Sequence, residues 1–250
     1  MILEYQIDIA AFVECDNLDV PSLIDILTNS NQQWKLIEVY PNSDIRLIAK
    51  KSIQISVIKE ERHYSIFSIK NQTDIFLLII VHLASGLYLE ESARDTRAGN
   101  ISRLLQKKEQ EIFKQDNFKS IIVGDFNLQP YSRGIIGVNE FNATMSQNIA
   151  KKISRVVDGE TKYFYYNPMW KLMGDNKLVQ GTYYNANNFQ DKSIYWYCFD
   201  EVLIRPYFID KFNWDFFDII DRTKDYNFID NNKINNRQYS DHLPIKFEIL

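Results

Sequence analysis

Cysteine is scarce: only Cys15 and Cys198 occur in 250 residues, far apart and at no redox or metal-ligand spacing. A disulfide scaffold is excluded, and both read as reduced core residues. Eight glycines and six prolines leave no collagen-like period, no low-complexity linker and no internal repeat. The longest apolar stretch, residues 75–84, is interrupted by His82 and falls well short of the ~20 residues of a membrane-spanning helix. No basic segment precedes an apolar one at the N-terminus, so no secretory signal is expected and the cytoplasm is the expected compartment. Positive charge is not in excess either: 29 basic against 33 acidic residues give −4, unlike a protein that coats DNA. Lys50-Lys51 and Lys151-Lys152 are the only basic doublets near apolar segments, and they read as solvated faces or as local grips on phosphate.

What is present is an ordinary globular composition, 45% hydrophobic, 14% aromatic and 25% charged, enough for one large core without staples. A single domain over residues 1–250 is expected. Residues 7–13 read as a buried strand that delivers Glu14 at its end, with a helix after Pro21. Residues 37–40, 44–50, 53–59, 64–70 and 75–83 are strand material, and turn residues such as Pro41-Asn42-Ser43 separate them; strands so closely spaced must be largely antiparallel. Residues 92–115 carry a helical apolar stripe, Ile101, Leu104, Leu105, Ile112 and Phe113, leading into a buried strand at 121–123. A second helix is expected over 141–157, then strands at 163–166, 182–184, 195–204 and 245–249. Helices and strands mix without βαβ alternation, which excludes a simple Rossmann or TIM arrangement and favours packed sheets covered by helices.

Chemistry concentrates in a few segments. In Ile121-Ile122-Val123-Gly124-Asp125-Phe126-Asn127 an apolar strand runs into a carboxylate and an amide two residues apart, which strand alternation would turn to one side. Asp125 can take a proton from water and Asn127 can donate to an oxyanion; a strand end followed by Asx turns is the plainer reading. Ser240-Asp241-His242 places a carboxylate beside an imidazole, suited to separate tasks, such as metal ligand and phosphate contact, or to a solvated pair. His82 closes the most apolar strand and Asp200 sits inside another, and a polar group in either place needs a partner. The third histidine, His63, lies among charges at an expected turn.

Taken in order, these segments give the chain a resemblance to the endonuclease/exonuclease/phosphatase (DNase I-like) superfamily. Residues 8–14, ending in Glu14, are similar to its early strand with a metal-binding Glu, and Val81-His82-Leu83 to its phosphate-contacting His segment. Gly124-Asp125-Phe126-Asn127 resembles its central motif and Ser240-Asp241-His242 its C-terminal signature. The resemblance implies an α+β fold of two packed mixed β-sheets flanked by helices, a four-layer α/β/β/α sandwich. It implies that Glu14 binds a divalent metal with Asp241 on the metal side, that Asp125 activates or positions the attacking water, and that Asn127 orients the scissile phosphate. His242 would contact the phosphate and stabilise the transition state, Asp200 would hold its imidazole, and His82 would touch a phosphate oxygen. Such hard oxygen ligands suit Mg²⁺ or Mn²⁺, and the chain has no His/Cys cluster for zinc.

The superfamily usually begins with one more strand, carrying an Asn near the metal, so the chain is expected to be N-terminally short and to lack that strand. Nothing after His82 matches the active-site Tyr of the abasic-site branch, which leaves the DNase-like or phosphodiesterase-like branch closer. The implied activity is metal-dependent phosphodiester hydrolysis, on DNA or RNA. A small phosphoester substrate and a non-catalytic binding relative are the alternatives. Tyr166-Asn167-Pro168-Met169-Trp170 and Gly181-Thr182-Tyr183-Tyr184 resemble segments of bacterial nuclease-like members, and their aromatics offer either base-stacking surfaces or core anchors.

Overall fold

Residues 75–82 are apolar at every position but His82, a pattern that suits a strand covered on both faces, and they form such a strand beside residues 64–70, whose Tyr64, Ile66, Phe67 and Ile69 are buried. The structure, a computed structural model, describes all residues except 16, 31, 38–43, 72–73, 87–88, 115–116, 175–178 and 187–192. The described residues form mixed sheets with few helices and divide into two units, Met1–Leu83 with Ser120–Asp125, and Ala84–Lys119 with Phe126–Leu250. No helix among them is long and apolar enough to cross a membrane.

The first unit contains β1 (Ile9–Val13), α1 (Val20–Thr28), β2 (Trp34–Ile37), β3 (Ile45–Lys50), β4 (Gln54–Glu61), β5 (Tyr64–Lys70), β6 (Ile75–His82) and β7 (Ser120–Asp125). β3 lies between β1 and β2, antiparallel to both. β1 is therefore an edge strand, and no residue in it is fully buried, where the sequence suggested a buried one. Asp19 caps α1 by accepting from the Ser22 N–H at 3.2 Å, and Pro21 supplies a preset φ in the first turn. Val20 and Leu27 then pack with Ile2, Trp34 and Ile48. β4, β5 and β6 form an antiparallel meander whose first turn carries His63, as expected, and β7 joins β6 in parallel. The strand expected at 37–40 ends at Ile37 among the described residues, and the turn at 41–43 lies outside them.

In the second unit the expected helix is α2 (Glu91–Phe113), with position 115 outside the described residues. Ala98, Ile101 and Leu105 are buried on it, whereas Leu104, placed on the apolar stripe by the sequence, is half exposed. The strand Tyr165–Tyr166 pairs in parallel with Ala143–Thr144 and antiparallel with Asp200–Ile204. Phe126, Phe141 and Tyr165 stack edge to face beneath them. A buried network ties α2 to the end of the Asp200–Ile204 strand. The Arg205 guanidinium donates through Nε and Nη2 to the Glu109 carboxylate, which also accepts from the Tyr165 hydroxyl. Burial works against the Arg205 charge, but the facing Glu109 and Tyr165 outweigh it and hold its pKa above the ordinary guanidinium value.

The helix expected over 141–157 does not form. Only Gln147–Ala150 is helical there, between Ala143–Thr144 and a hairpin of Ser154–Val157 with Glu160–Tyr163. The reason lies in the turn: Asp158 and Gly159 both take positive φ, as a two-residue I′ loop requires, so the chain pairs with itself. Asn142 and Ile153 also take positive φ, which a helix does not permit. Later strands are shorter than expected: Tyr183–Tyr184 pairs with Trp196–Tyr197, and Ile245–Lys246 pairs with Asp218–Ile219.

Candidate active site

In the first unit the site residues are placed by strand register. The parallel pairing of β6 and β7 sets His82 directly opposite Asp125, and the Leu83 N–H donates to the Asp125 carbonyl at 2.8 Å. Gly124, at φ +142°, makes this approach possible, because a Cβ there would collide with the Val81 carbonyl. β1 ends at Val13, and Glu14 leaves it in left-handed backbone at φ 52°. Glu14 Oε1 accepts from His82 Nε2 at 2.9 Å, while Asp125 Oδ2 stands 4.0 Å from the same nitrogen. The side chains of His82 and Asp125 are 15% and 5% exposed and that of Glu14 is 63% exposed, so one carboxylate is buried and the other faces water. The backbone holds His82 further, through its N–H to the His63 carbonyl and its carbonyl to His63 Nδ1.

Among the described residues no group of three His, Cys, Asp or Glu side chains is arranged as a metal site. Mg²⁺, however, keeps several of its waters and commonly takes one or two carboxylates rather than a full protein cage. The Glu14 carboxylate, open to solvent, fits that requirement as one such ligand.

In the second unit the placement is made by side chains that bind backbone. Strand geometry stops at Asp125; the Phe126 N–H pairs with the Phe199 carbonyl and Asn127 turns into left-handed backbone at φ 51°. Alternation along a strand therefore does not set the direction of Asn127. Its carbonyl instead accepts from Arg94 Nη1 in the first turns of α2, and Asp95 beside it accepts from the Gly134 N–H at 2.7 Å. Two neighbouring residues of one helix thus hold two points of the loop that follows β7.

His242 Nδ1 lies 2.8 Å from Asp200 Oδ2. A carboxylate only accepts, so Nδ1 carries the proton and the ring plane and tautomer are set, with Nε2 as the nitrogen directed away from Asp200. The ring packs on Tyr183 at 4.9 Å between centroids, and Phe199 stacks on Tyr183 at 5.5 Å and stands 6.4 Å from the imidazole, so the three rings form one cluster. Thr182, fully buried, organises this corner: its Oγ1 accepts from the N–H groups of Phe199 and Asp200 at 3.1 and 3.0 Å, and its carbonyl accepts from Leu243. Gly181 lies so close to the Tyr197 carbonyl that a Cβ would come within 2.5 Å of it. Burial raises the Tyr183 pKa, and the Asp241 charge, then Tyr197, raise it further.

No protein-family model and no curated protein matches the sequence. Solved structures do. Truncated TDP2 of Caenorhabditis elegans is similar at a TM-score of 0.55 and 17% identity, over 98% of this chain and 85% of its own. The endonuclease domain of TRAS1, a telomere-specific non-LTR retrotransposon, gives 0.53 and 11% over 99% and 88%. An endonuclease/exonuclease/phosphatase family protein from Bacteroides thetaiotaomicron gives 0.50 and 15% over 99% and 85%. The chain has the DNase I-like endonuclease/exonuclease/phosphatase fold. Both units lie within these matches, and the α+β sandwich expected from the sequence is this fold.

On the endonuclease/exonuclease/phosphatase fold, Glu14, His82 and Asp125 come together in one unit, and Asp200 with His242 in the other. Sequence reasoning missed Thr182 and Arg94. A buried Thr beside Gly181 offered a weak signal; an Arg in a charged helix offered none. Of the expected core cysteines, Cys198 is buried and burial pushes its thiol pKa well up, with Glu201 and Asp200 adding to the shift, whereas Cys15 is only half-buried. Of the motif at residues 166–170, Tyr166 and Met169 are buried as core anchors, whereas Trp170 is only partly buried. Lys50 pairs with Asp8 at 2.5 Å and Lys51 donates to Gln33 at 3.1 Å, a solvated face.

Proposed function

We propose that the chain is a divalent-metal-dependent phosphodiester hydrolase acting on nucleic acid, as an endonuclease or exonuclease. The observation that carries this reading is the Asp200–His242 pair, an imidazole whose Nδ1 is held by a carboxylate at 2.8 Å, on a fold shared with the TRAS1 endonuclease domain. Glu14 would hold Mg²⁺ or Mn²⁺, which would supply charge neutralisation to the phosphoryl oxygens, and Asp241 is the second residue proposed for the metal side. Asp125, buried and beside an imidazole, accepts the proton of the attacking water. Asn127 donates its side-chain amide to the phosphate, its backbone held by Arg94. His242 donates from Nε2 to a non-bridging oxygen as charge builds in the transition state, while Asp200 stabilises the imidazolium. His82, within 2.9 Å of Glu14 and 4.0 Å of Asp125, would contact a phosphate oxygen through Nε2. The cytoplasm is the proposed compartment, in keeping with two cysteines that form no disulfide.

A small phosphoester is the second reading, and the net charge of −4 favours it, since nucleic-acid binders generally gather basic residues. One assay addresses both: supercoiled plasmid, single-stranded oligonucleotides and bis(p-nitrophenyl) phosphate incubated with Mg²⁺, Mn²⁺ or EDTA, with Asp125→Ala as control. Metal-dependent cleavage of a nucleic acid that disappears in Asp125→Ala is expected. Turnover of the small ester alone transfers the assignment to the second reading, and cleavage that persists in the folded variant overturns both.

A further inference from the structure

The second unit carries a cavity of about 380 Å³ that none of the residues discussed so far uses. It opens between the strand Ala143–Thr144, the short helix Gln147–Ala150 and the start of the Ser154–Val157 hairpin. Its volume is within the roughly 300–1,000 Å³ of small-molecule sites. The lining is of two kinds. Ile136, Ile149 and Phe164 give an apolar floor and rim, with Ile136 and Ile149 47% and 39% exposed. Lys152, Arg155, Ser154 and Thr144 give two cations and two hydroxyls, and no acidic residue among the described ones lines the cavity.

The cations are not neutralised by neighbours. Within the doublet singled out in the sequence, Lys151 is bound to Asp210 at 2.6 Å, whereas Lys152 makes no ion pair or side-chain hydrogen bond among the described residues. Arg155 donates Nη2 to the neutral Asn142 Oδ1 at 3.1 Å and stands 5.5 Å over the Phe164 ring, so its fork is oriented without a counter-charge. Opposite it in the hairpin, Lys162 is occupied by Glu160. Two positive groups beside apolar surface, the Arg155 fork oriented by Asn142 and Phe164 and the Lys152 ammonium exposed, are complementary to an anion joined to an apolar body. The place is remote from Asp200. The cavity borders the edge strand, two strands away from Asp200–Ile204, whose pairing with Tyr166 is at Ile204, about 13 Å along the strand from Asp200.

We propose that this cavity is a second binding site, for an organic phosphomonoester of about mononucleotide size, with the phosphate on Lys152 and Arg155 and the body against Ile136 and Ile149. Calorimetric titration of the full chain in EDTA tests it with three probes: thymidine 5′-monophosphate, hexyl phosphate and thymidine. The measurement needs no turnover, so it stands apart from the hydrolase reading. At least one phosphomonoester is expected to bind, and thymidine is not. The more tightly bound phosphate tells whether the natural body is nucleoside or alkyl. Lys152→Gln should weaken binding about 10-fold and Lys152→Glu should abolish it, at a position exposed enough to leave folding intact. Arg155→Lys, which keeps the charge but loses the fork, should weaken it less than Lys152→Glu. The proposal is overturned if neither phosphate binds, if thymidine binds as tightly as its phosphate, or if the Lys152 variants bind like the wild type.

Discussion

The two units hold their site residues by different means. In the first, Asp125 and His82 are consequences of backbone register: β6 and β7 pair in parallel, and the side chains at the end of that ladder become neighbours. In the second, Asn127 and His242 lie outside regular strands and Asp200 only begins one, and the backbone around them is held by side chains that bind it, Thr182 to Phe199 and Asp200, Arg94 to Asn127 and Gln129 to Cys198. A ladder spreads its positional constraint over many hydrogen bonds and is insensitive to any one side chain. A tether depends on one or two bonds, so single substitutions should reach the site of the second unit far more readily than that of the first.

The largest effect tests whether the second unit rests on its polar ties. Arg205→Ala leaves the Glu109 carboxylate buried without its counter-ion and should cost about 3–5 kcal/mol in urea unfolding. A loss under 1 kcal/mol would mean that the unit does not depend on this network. Gly124→Ala attacks the ladder at the one point where a side chain has no room and φ is +142°, and a loss of about 3 kcal/mol is expected. Gly159→Ala, with nothing nearby but φ +80°, should lose only about 1 kcal/mol and separates collision from backbone strain.

Asp200→Asn preserves shape and removes the charge that fixes the His242 tautomer. If the proposed hydrolase is active, kcat should fall roughly 100-fold with unfolding free energy nearly unchanged. Thr182→Val strands two buried N–H donors at an expected cost of about 2 kcal/mol and should lower kcat as well, because Asp200 is one of the two residues released. Thr182→Ser should restore both, and failure of that rescue would show that the methyl group matters rather than the hydroxyl. The smallest effect is chemical: at pH 8 a thiol reagent should label Cys15 and leave Cys198 unmodified until the protein is unfolded, since burial raises the Cys198 pKa and blocks access.

Legibility along the chain follows the same division. The strands around residues 75–83 and 121–123 could be read because continuous apolar runs leave few physical solutions, and Asp125 and His82 came with them. The region 141–157 misled because Phe141, Ile149, Ala150, Ile153, Val156 and Val157 imitate a helical stripe, while the Asp158-Gly159 pair that forces a hairpin lies just beyond it. Arg94, Thr182 and the Glu109–Arg205 pair had no pattern to betray them. Their partners lie 33, 17 and 96 residues away.

By itself the sequence determined the class of fold, the order of the four motifs and the residue types available for chemistry, because apolar periodicity and adjacent polar residues are local properties. Only the tertiary structure decided that Glu14 meets His82, that Asp200 meets His242, and that Lys152 rather than Lys151 faces the cavity without a partner carboxylate. Those are long-range contacts, fixed by the packing of elements distant in sequence, and no local pattern of residues encodes them.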